Sequence, residues 1–442
     1  MTGSIERSFH IHPGGALTGH LRVPGDKSIS HRAVLLGAIA EGVTEVEGFL
    51  EGDDALATLA AMRHLGVDIE GPVEGRLRIH GVGLRGLKAP SAPLDLGNSG
   101  TSMRLFAGLL AGQSFSSELI GDASLMRRPM RRVTDPLALM GADITTAANG
   151  TAPLRIVPVN EITGIDYAMP VASAQVKSAL LLAGLYANGP TRVHEPAVTR
   201  DHTEQMLSAL GCPVSRQDGW IEISGPARLT STRIKIPADI SSAAFFLVGA
   251  SIAPGAEVVL EGVGLNPSRI GVIEILQRMG ADITIDPDPS GGGEPTGQLT
   301  VRHSPLRGIE IPVELVPLAI DEFPALFVAA ACAEGETVLR GAEELRVKES
   351  DRIAVMAEGL SVLGIDVEPQ ADGIRITGGA FSGGQVHARG DHRIAMSFAM
   401  AGLVASGPVQ IDGCAEVDTS FPGFVELARA AGLHIETAEE QK

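Results

Sequence analysis

Six times along this chain an apolar residue is followed by a glycine, two further residues and then Ile or Val. The instances are Leu65-Gly66 to Ile69, Met140-Gly141 to Ile144, Leu210-Gly211 to Val214, Met279-Gly280 to Ile283, Leu363-Gly364 to Val367 and Ala431-Gly432 to Ile435. Neighbouring glycines lie between 68 residues (Gly364 to Gly432) and 84 residues (Gly280 to Gly364) apart. Each ends a helical pattern and precedes alternating polar and apolar residues, such as Leu77-Arg78-Ile79, so each reads as a left-handed helix C-cap that runs into a strand. A second signal interleaves with the first. An Ala- and Leu-rich run stops at Gly42, Gly112, Gly189, Gly255, Gly335 or Gly407, and a short strand follows over 43–46, 116–120, 191–193, 256–260, 337–339 or 409–411. Two interleaved sets of six predict an α/β chain of six units, each with two helices and several strands.

The apolar runs, such as 179–187 and 325–333, have almost no polar face and are expected to be buried all round. Three units fall on either side of the segment 233–237, which divides the 442 residues into two domains of similar size. The stretch Ser290-Gly291-Gly292-Gly293 interrupts a predicted hairpin and reads as a loop.

A net charge of −18 argues against nucleic acid and anionic membrane as partners, since both would be repelled at long range. The longest nearly apolar run, 394–405, is too short to span a bilayer. Cys212, Cys332 and Cys414 are odd in number and lack metal-ligand spacing, which fits a reducing, cytoplasmic setting. In a chain this acidic, cations matter where they cluster.

They cluster just before the apolar helices. Pro24-Gly25-Asp26-Lys27-Ser28-Ile29-Ser30-His31-Arg32 is a tight turn entering a helix that Ser28 or Ser30 can cap, with Lys27 and Arg32 beside free N–H groups, an arrangement suited to a phosphate. Gly97-Asn98-Ser99-Gly100-Thr101-Ser102 is a glycine-bounded helix start, and the segment 124–132 holds Arg127, Arg128, Arg131 and Arg132. Ser173-Ala174-Gln175-Val176-Lys177 heads another buried helix, followed by Thr199-Arg200-Asp201-His202. Asp321 precedes a further helix, Asp391-His392-Arg393 opens the last, and 346–352 carries five ionisable residues in seven. Alone, each reads equally well as a capped helix or as self-neutralising surface pairs. Together, Lys27, Arg32, Arg128, Arg200, Lys348, Arg352 and Arg393 form a set able to bind more than one anionic group, with Asp321 and Glu349 as carboxylates for proton transfer among them. No metal-ligand spacing, nucleotide-binding P-loop or serine-hydrolase elbow occurs, so the sequence implies neither metal nor cofactor.

The order and spacing of Pro-Gly-Asp-Lys-Ser-Ile-Ser-His-Arg, Gly-Asn-Ser-Gly-Thr-Ser-Met-Arg, Arg-Arg-Pro-Met, Ser-Ala-Gln-Val-Lys, Arg-Val-Lys-Glu-Ser-Asp-Arg and Asp-His-Arg resemble the 5-enolpyruvylshikimate-3-phosphate synthases of the enolpyruvyl transferase family over nearly the whole chain. The resemblance implies an inside-out α/β barrel of two domains, each of three βαβαββ units, joined by a double crossover. The first domain would span 25–237 and the second 1–24 with 238–442. It implies transfer of the enolpyruvyl group of phosphoenolpyruvate to the 5-hydroxyl of shikimate 3-phosphate, in aromatic amino-acid biosynthesis, by a monomer, with glyphosate as a candidate inhibitor whose effect on this chain the sequence leaves open. Carried over by motif, Lys27, Ser28, Arg32, Ser173, Ala174, Gln175, Arg200, Asp321 and Lys348 are expected around shikimate 3-phosphate. Lys27, Gly100, Arg128, Gln175, Glu349, Arg352, His392 and Arg393 are expected around phosphoenolpyruvate. Asp321, Glu349 and Lys27 are the expected proton-transfer residues.

Ala174 stands where the better-known bacterial pattern has a second Ser, Arg200 where it has a Tyr, and Glu344 where it has an Asn; the segment 418–422 lacks a Lys. These departures resemble the family's second sequence class. The related transferase acting on UDP-N-acetylglucosamine carries a reactive cysteine on a loop of its second unit, and 112–132 has no Cys. A non-catalytic repeat scaffold for phosphorylated metabolites would not need the carboxylates.

Overall fold

The computed structural model describes residues 5–289 and 293–441. The chain divides into two compact units, one of residues Gly25–Ile236 and one of Met1–Pro24 with Pro237–Lys442. The first holds helices α1 (Lys27–Ile39), α2 (Asp53–His64), α3 (Gly100–Ala111), α4 (Arg131–Leu139), α5 (Ala174–Gly184) and α6 (His202–Ala209). The second holds α7 (Ile240–Ile252), α8 (Gly271–Arg278), α9 (Phe323–Ala331), α10 (Arg352–Val362), α11 (His392–Ala401) and α12 (Phe424–Ala431).

Each unit has three sheets among the described residues, and the same pattern recurs. In the first unit, strand Glu41–Glu47 pairs parallel with Arg233–Lys235 and antiparallel with Arg76–Val82, which pairs antiparallel with Asp68–Val73. Ser117–Ile120 and Gly189–His194 occupy the place of Glu41–Glu47 in the other two sheets. The second unit repeats the scheme around Glu257–Gly264 and around Glu336–Leu339, whose parallel neighbour is reduced to isolated bridges, Arg307 with Glu334 and Glu310 with Val338. Its third sheet departs from it. There strand Ile5–Ile11, from the start of the chain, lies between Val409–Asp412 and Ile435–Gln441 and pairs antiparallel with both. The fold is mixed α/β. No described helix is long and apolar enough to cross a membrane.

The glycines of the first signal all take positive φ, from 85° at Gly66 to 114° at Gly432, as a left-handed cap requires. Of the second set, Gly42, Gly189, Gly255 and Gly335 do the same. Gly112 and Gly407 do not. The ring of Tyr186 covers the α-carbon of Gly112, and Gly407 lies against the backbone of Gly383. The expected loop around Ser290-Gly291-Gly292-Gly293 joins strands Asp282–Pro287 and Thr296–Arg302, with 290–292 outside the described residues.

Within each unit one helix per repeat is buried on every side and the other is amphipathic. All residues of α7, α9 and α11 are buried, as are α1 from Ile29 onward and α5 from Val176 onward. Helices α3 and α5 approach most closely at Gly108, where a Cβ would fall inside the van der Waals surface of the Ala179 backbone. Glycine-to-alanine exchange inside a helix normally stabilises by up to about 1 kcal/mol. Gly108→Ala is expected to do the reverse, forcing α3 and α5 apart at a cost of about 1–3 kcal/mol. A urea midpoint at or above that of the parent would contradict this packing.

Candidate active site

A helix apolar all round meets solvent only at its ends, and the polar residues lie at the N-terminal ends, where N–H groups need acceptors. At the head of α1 the cap is Asp26, whose carboxylate accepts from Ile29 N at 2.8 Å; neither Ser28 nor Ser30 serves, contrary to the sequence reading. Asp26 precedes the helix and reaches its free N–H, whereas Ser28 and Ser30 are already helical, and Ser30 accepts from Leu50 N at 3.0 Å instead. Lys27 begins the helix, and its Nζ lies 2.8 Å from Asp54 Oδ2. Arg32, one turn on, is buried. It donates to Ser28 O (2.9 Å), Thr203 Oγ1 (2.7 Å) and Ser178 Oγ (2.8 Å), which orient the guanidinium.

Beneath them His31 is wholly buried, with Nδ1 2.8 Å from Thr58 Oγ1 and Nε2 3.3 Å from Ser99 Oγ. Burial first, then the charges of Lys27 and Arg32, hold its pKa well below the usual 6.5. Ser99 caps α3, accepting from Ser102 N at 3.1 Å. Gly100 follows, and a Cβ there would lie 2.9 Å from an Nη1 of both Arg104 and Arg128. Of the four clustered arginines only Arg128 is buried; it donates to Asn98 Oδ1 at 2.5 Å, and Asn98 donates to Asp122 Oδ2 at 2.6 Å. Ser173 caps α5, Ala174 is its first residue, and Gln175 Nε2 donates to Thr101 Oγ1 at 3.0 Å, which ties the head of α5 to that of α3. Gly100, Arg128 and Gln175 are thereby brought to one place. Arg200 is half-buried in the segment between strand Gly189–His194 and α6.

In the second unit the run 346–352 is not a set of surface pairs. Arg346 and Asp351 do pair, at 2.6 Å, but the Arg352 side chain is 1 % exposed. Its Nε lies 2.8 Å from Asp391 Oδ2, its Nη2 2.6 Å from Glu349 Oε2, and its Nη1 3.3 Å from Asp321 Oδ1. Burial alone would depress the guanidinium pKa; Asp391, Glu349 and Asp321 outweigh it and raise the pKa above its ordinary value. Lys348 Nζ lies 3.4 Å from Asp321. Asp391 also caps α11, accepting from Arg393 N at 3.0 Å, and receives the Ser350 hydroxyl at 3.0 Å. His392 and Arg393 are the first two residues of that helix and both are buried. Asp321, Lys348, Glu349 and Arg352 are thus one connected group, joined through Asp391 to the head of α11. In the segment 418–422 that lacks a Lys, Asp418 pairs with Arg7 at 2.6 Å.

Sequence reasoning missed Asp54 and Thr58, which hold Lys27 and His31 from α2, and saw Asp391 only as a cap. Their partners are distant in the chain and carry no local signal. Lys177 was quoted within a motif but given no role; a lysine inside an apolar helix was the signal, since such a charge is buried only when paired. Among the described residues no group of three or more His, Cys, Asp or Glu is placed to hold a metal ion.

His31 gives a pH dependence. Its folded pKa lies below its unfolded value, so below about pH 6.5 the unfolded chain takes up a proton that the folded chain refuses. The stability due to neutral His31 is present above that pH and is lost as pH falls, by up to about 1.4 kcal/mol per pH unit. In urea titrations between pH 7 and 5, His31→Asn is expected to lose stability less steeply than the parent. Equal slopes would show that His31 takes up its proton alike in the folded and the unfolded chain.

The family model described as EPSP synthase (3-phosphoshikimate 1-carboxyvinyltransferase) matches residues 11–427. The 3-phosphoshikimate 1-carboxyvinyltransferase of Methylococcus capsulatus is 66% identical over 430 residues, covering 97% of this chain and 98% of that one. The protein of the same name from Alkalilimnicola ehrlichii is 65% identical over 426 residues, covering 96% of each. A solved EPSP synthase from Acinetobacter baumannii superposes with a TM-score of 0.88 at 57% identity, over 98% of this chain and 100% of that one. Family match, near full-length identity and common fold agree, and the chain belongs to the EPSP synthase family.

Proposed function

We propose that this chain transfers the enolpyruvyl group of phosphoenolpyruvate to the 5-hydroxyl of shikimate 3-phosphate, releasing phosphate. The observation that carries the chemistry is the pair of carboxylates, Asp321 and Glu349, held on one buried guanidinium with Lys348 beside them. Carboxylates kept next to fixed cations can take and return protons while the cations hold anionic ligands.

In this reading the 5-hydroxyl oxygen adds to C2 of phosphoenolpyruvate, its proton passes to Asp321, and C3 gains a proton from Glu349 or Lys27, giving a tetrahedral ketal. Loss of phosphate from C2 and of a proton from C3 then forms the enol ether. Lys27, Ser28, Arg32, Ser173, Ala174, Gln175, Arg200, Asp321 and Lys348 bind shikimate 3-phosphate. Lys27, Gly100, Arg128, Gln175, Glu349, Arg352, His392 and Arg393 surround phosphoenolpyruvate. The architecture in this reading is the inside-out α/β barrel, with domains 25–237 and 1–24 with 238–442, acting as a cytoplasmic monomer. The buried, oriented state of Arg32, Arg128 and Arg352 supports it, since a cation already desolvated and aimed loses little more on binding an anion.

Mixing the protein with both substrates is expected to release phosphate, and neither substrate alone should do so. Asp321→Ala is expected to slow the single-turnover rate by about 10²-fold or more, the usual scale of a lost general base. A rate near that of the parent would remove Asp321 from the proton-transfer role.

Gly100 bears on inhibition. A methyl group there would press on the Nη1 atoms of Arg104 and Arg128, the far ends of side chains that can yield by a few tenths of an ångström. Glyphosate resembles phosphoenolpyruvate but is longer, so in a close-packed site it has less room for that shift. Gly100→Ala is expected to raise the inhibition constant for glyphosate by a larger factor than KM for phosphoenolpyruvate. A ratio of the two constants that falls or stays level would show that Gly100 does not face the inhibitor.

A further inference from the structure

Lys177 is the fourth residue of α5, and its side chain is 0% exposed. Its Nζ lies 2.8 Å from Glu195 Oε2 and 2.8 Å from Glu204 Oε1. An ammonium removed from water needs such partners, and here they come from two places that flank Arg200. Glu195 follows directly on strand Gly189–His194; Glu204 is in the first turn of α6. The Thr199 hydroxyl donates to the same Glu195 oxygen at 2.7 Å and draws the intervening segment back on itself. From the outer side, Arg216 Nη2 lies 3.0 Å from Asp201 and 3.4 Å from Glu204. Ser178, the residue after Lys177, and Thr203, the residue before Glu204, are hydrogen-bonded at 2.7 Å, and both accept from Arg32.

We infer that Lys177 is a positioning residue for shikimate 3-phosphate: through Glu195 and Glu204 it fixes the segment 195–204 against α5, and with it the seat of Arg32 and the place of Arg200. The inference rests on the reading of Arg32 and Arg200 as contacts of that substrate. It is selective because groups placed around phosphoenolpyruvate are held by other means, Arg128 by Asn98 and Gly100 by the cap at Ser99. Lys27 is held by Asp54.

Glu195→Ala tests it, since it cuts the tie to the segment and leaves Lys177 and Glu204 as a neutral pair. KM for shikimate 3-phosphate is expected to rise by about 3- to 30-fold, the scale of a coupling carried through neighbouring residues, with KM for phosphoenolpyruvate within about twofold and kcat at saturation unchanged. The chain's single tryptophan, Trp220, supplies a readout independent of turnover. Its ring centroid lies 5.2 Å from that of His194, the residue before Glu195, and the Cζ of Arg192 lies 5.1 Å from it. Its fluorescence in the free variant is expected to shift, and saturating shikimate 3-phosphate to return it towards the parent spectrum. Lys177→Met, where it folds, is expected to give the same split with a larger effect; if it does not fold, Glu195→Ala decides alone. Equal rises in both KM values, or no rise in either, would overturn the inference. Arg200→Ala separates the two levels. If it leaves KM for shikimate 3-phosphate at the parent value, the reading of Arg200 fails and the route through it fails too; if it raises that KM and Glu195→Ala does not, only the role of Lys177 is lost.

Discussion

A helix without a polar face has to be surrounded, and this requirement shapes the protein. Each unit has three such helices and three sheets among the described residues, so the lateral surfaces of those helices are spent on packing and only helix ends remain for chemistry. At those ends the first N–H groups lack intrahelical partners. Asp26, Ser99, Ser173 and Asp391 satisfy some of them, and cations and carboxylates of the candidate site stand beside these caps. Much of the candidate site therefore stands at the heads of packed helices, so site and packing share the same elements. Gly108 shows how tightly the two are linked, since the contact that sets the spacing of α3 and α5 also sets that of Gly100 and Gln175.

The second organising element is Arg352. It is the meeting point of three carboxylates from three places in the chain: the turn before α9, the segment before α10 and the head of α11. Removing one partner of such a buried ion set costs far more than a surface pair, about 3–5 kcal/mol, because the remaining charge has no water to turn to. In an acidic chain this guanidinium gathers three negative groups around one cation. Asp391, as both cap and counter-ion, couples the start of α11 to the start of α10.

What the sequence disclosed was local. The glycine caps, the apolar helices and the strands after them are short-range patterns, and Gly66, Gly141, Gly211, Gly280, Gly364 and Gly432 all adopt the expected backbone. Where a distant residue decides, the local pattern misled. Asp26 took the capping role that Ser28 or Ser30 was expected to fill, and a run that looked like exposed pairs holds a guanidinium shut away from solvent. The heads of helices could be read as anion sites, but not which carboxylate would meet which cation, because Lys27 and Asp54, or Arg352 and Asp391, become neighbours only once the repeats have packed.

The strand Ile5–Ile11 lies in the middle of a sheet whose other central member, Val409–Asp412, is some four hundred residues later in the chain, with Ile435–Gln441 on its far side. On the ribosome the two units therefore have different histories. Residues 25–236 form one continuous stretch that can close its three sheets as soon as it has emerged. The strand Ile5–Ile11 meanwhile has neither partner, and its apolar residues Phe9 and Ile11, fully buried in the finished sheet, stay uncovered until residues 409–441 have been made. The second unit thus cannot complete its fold until some four hundred residues after its first strand, and that interval is when the strand is most exposed to wrong pairing.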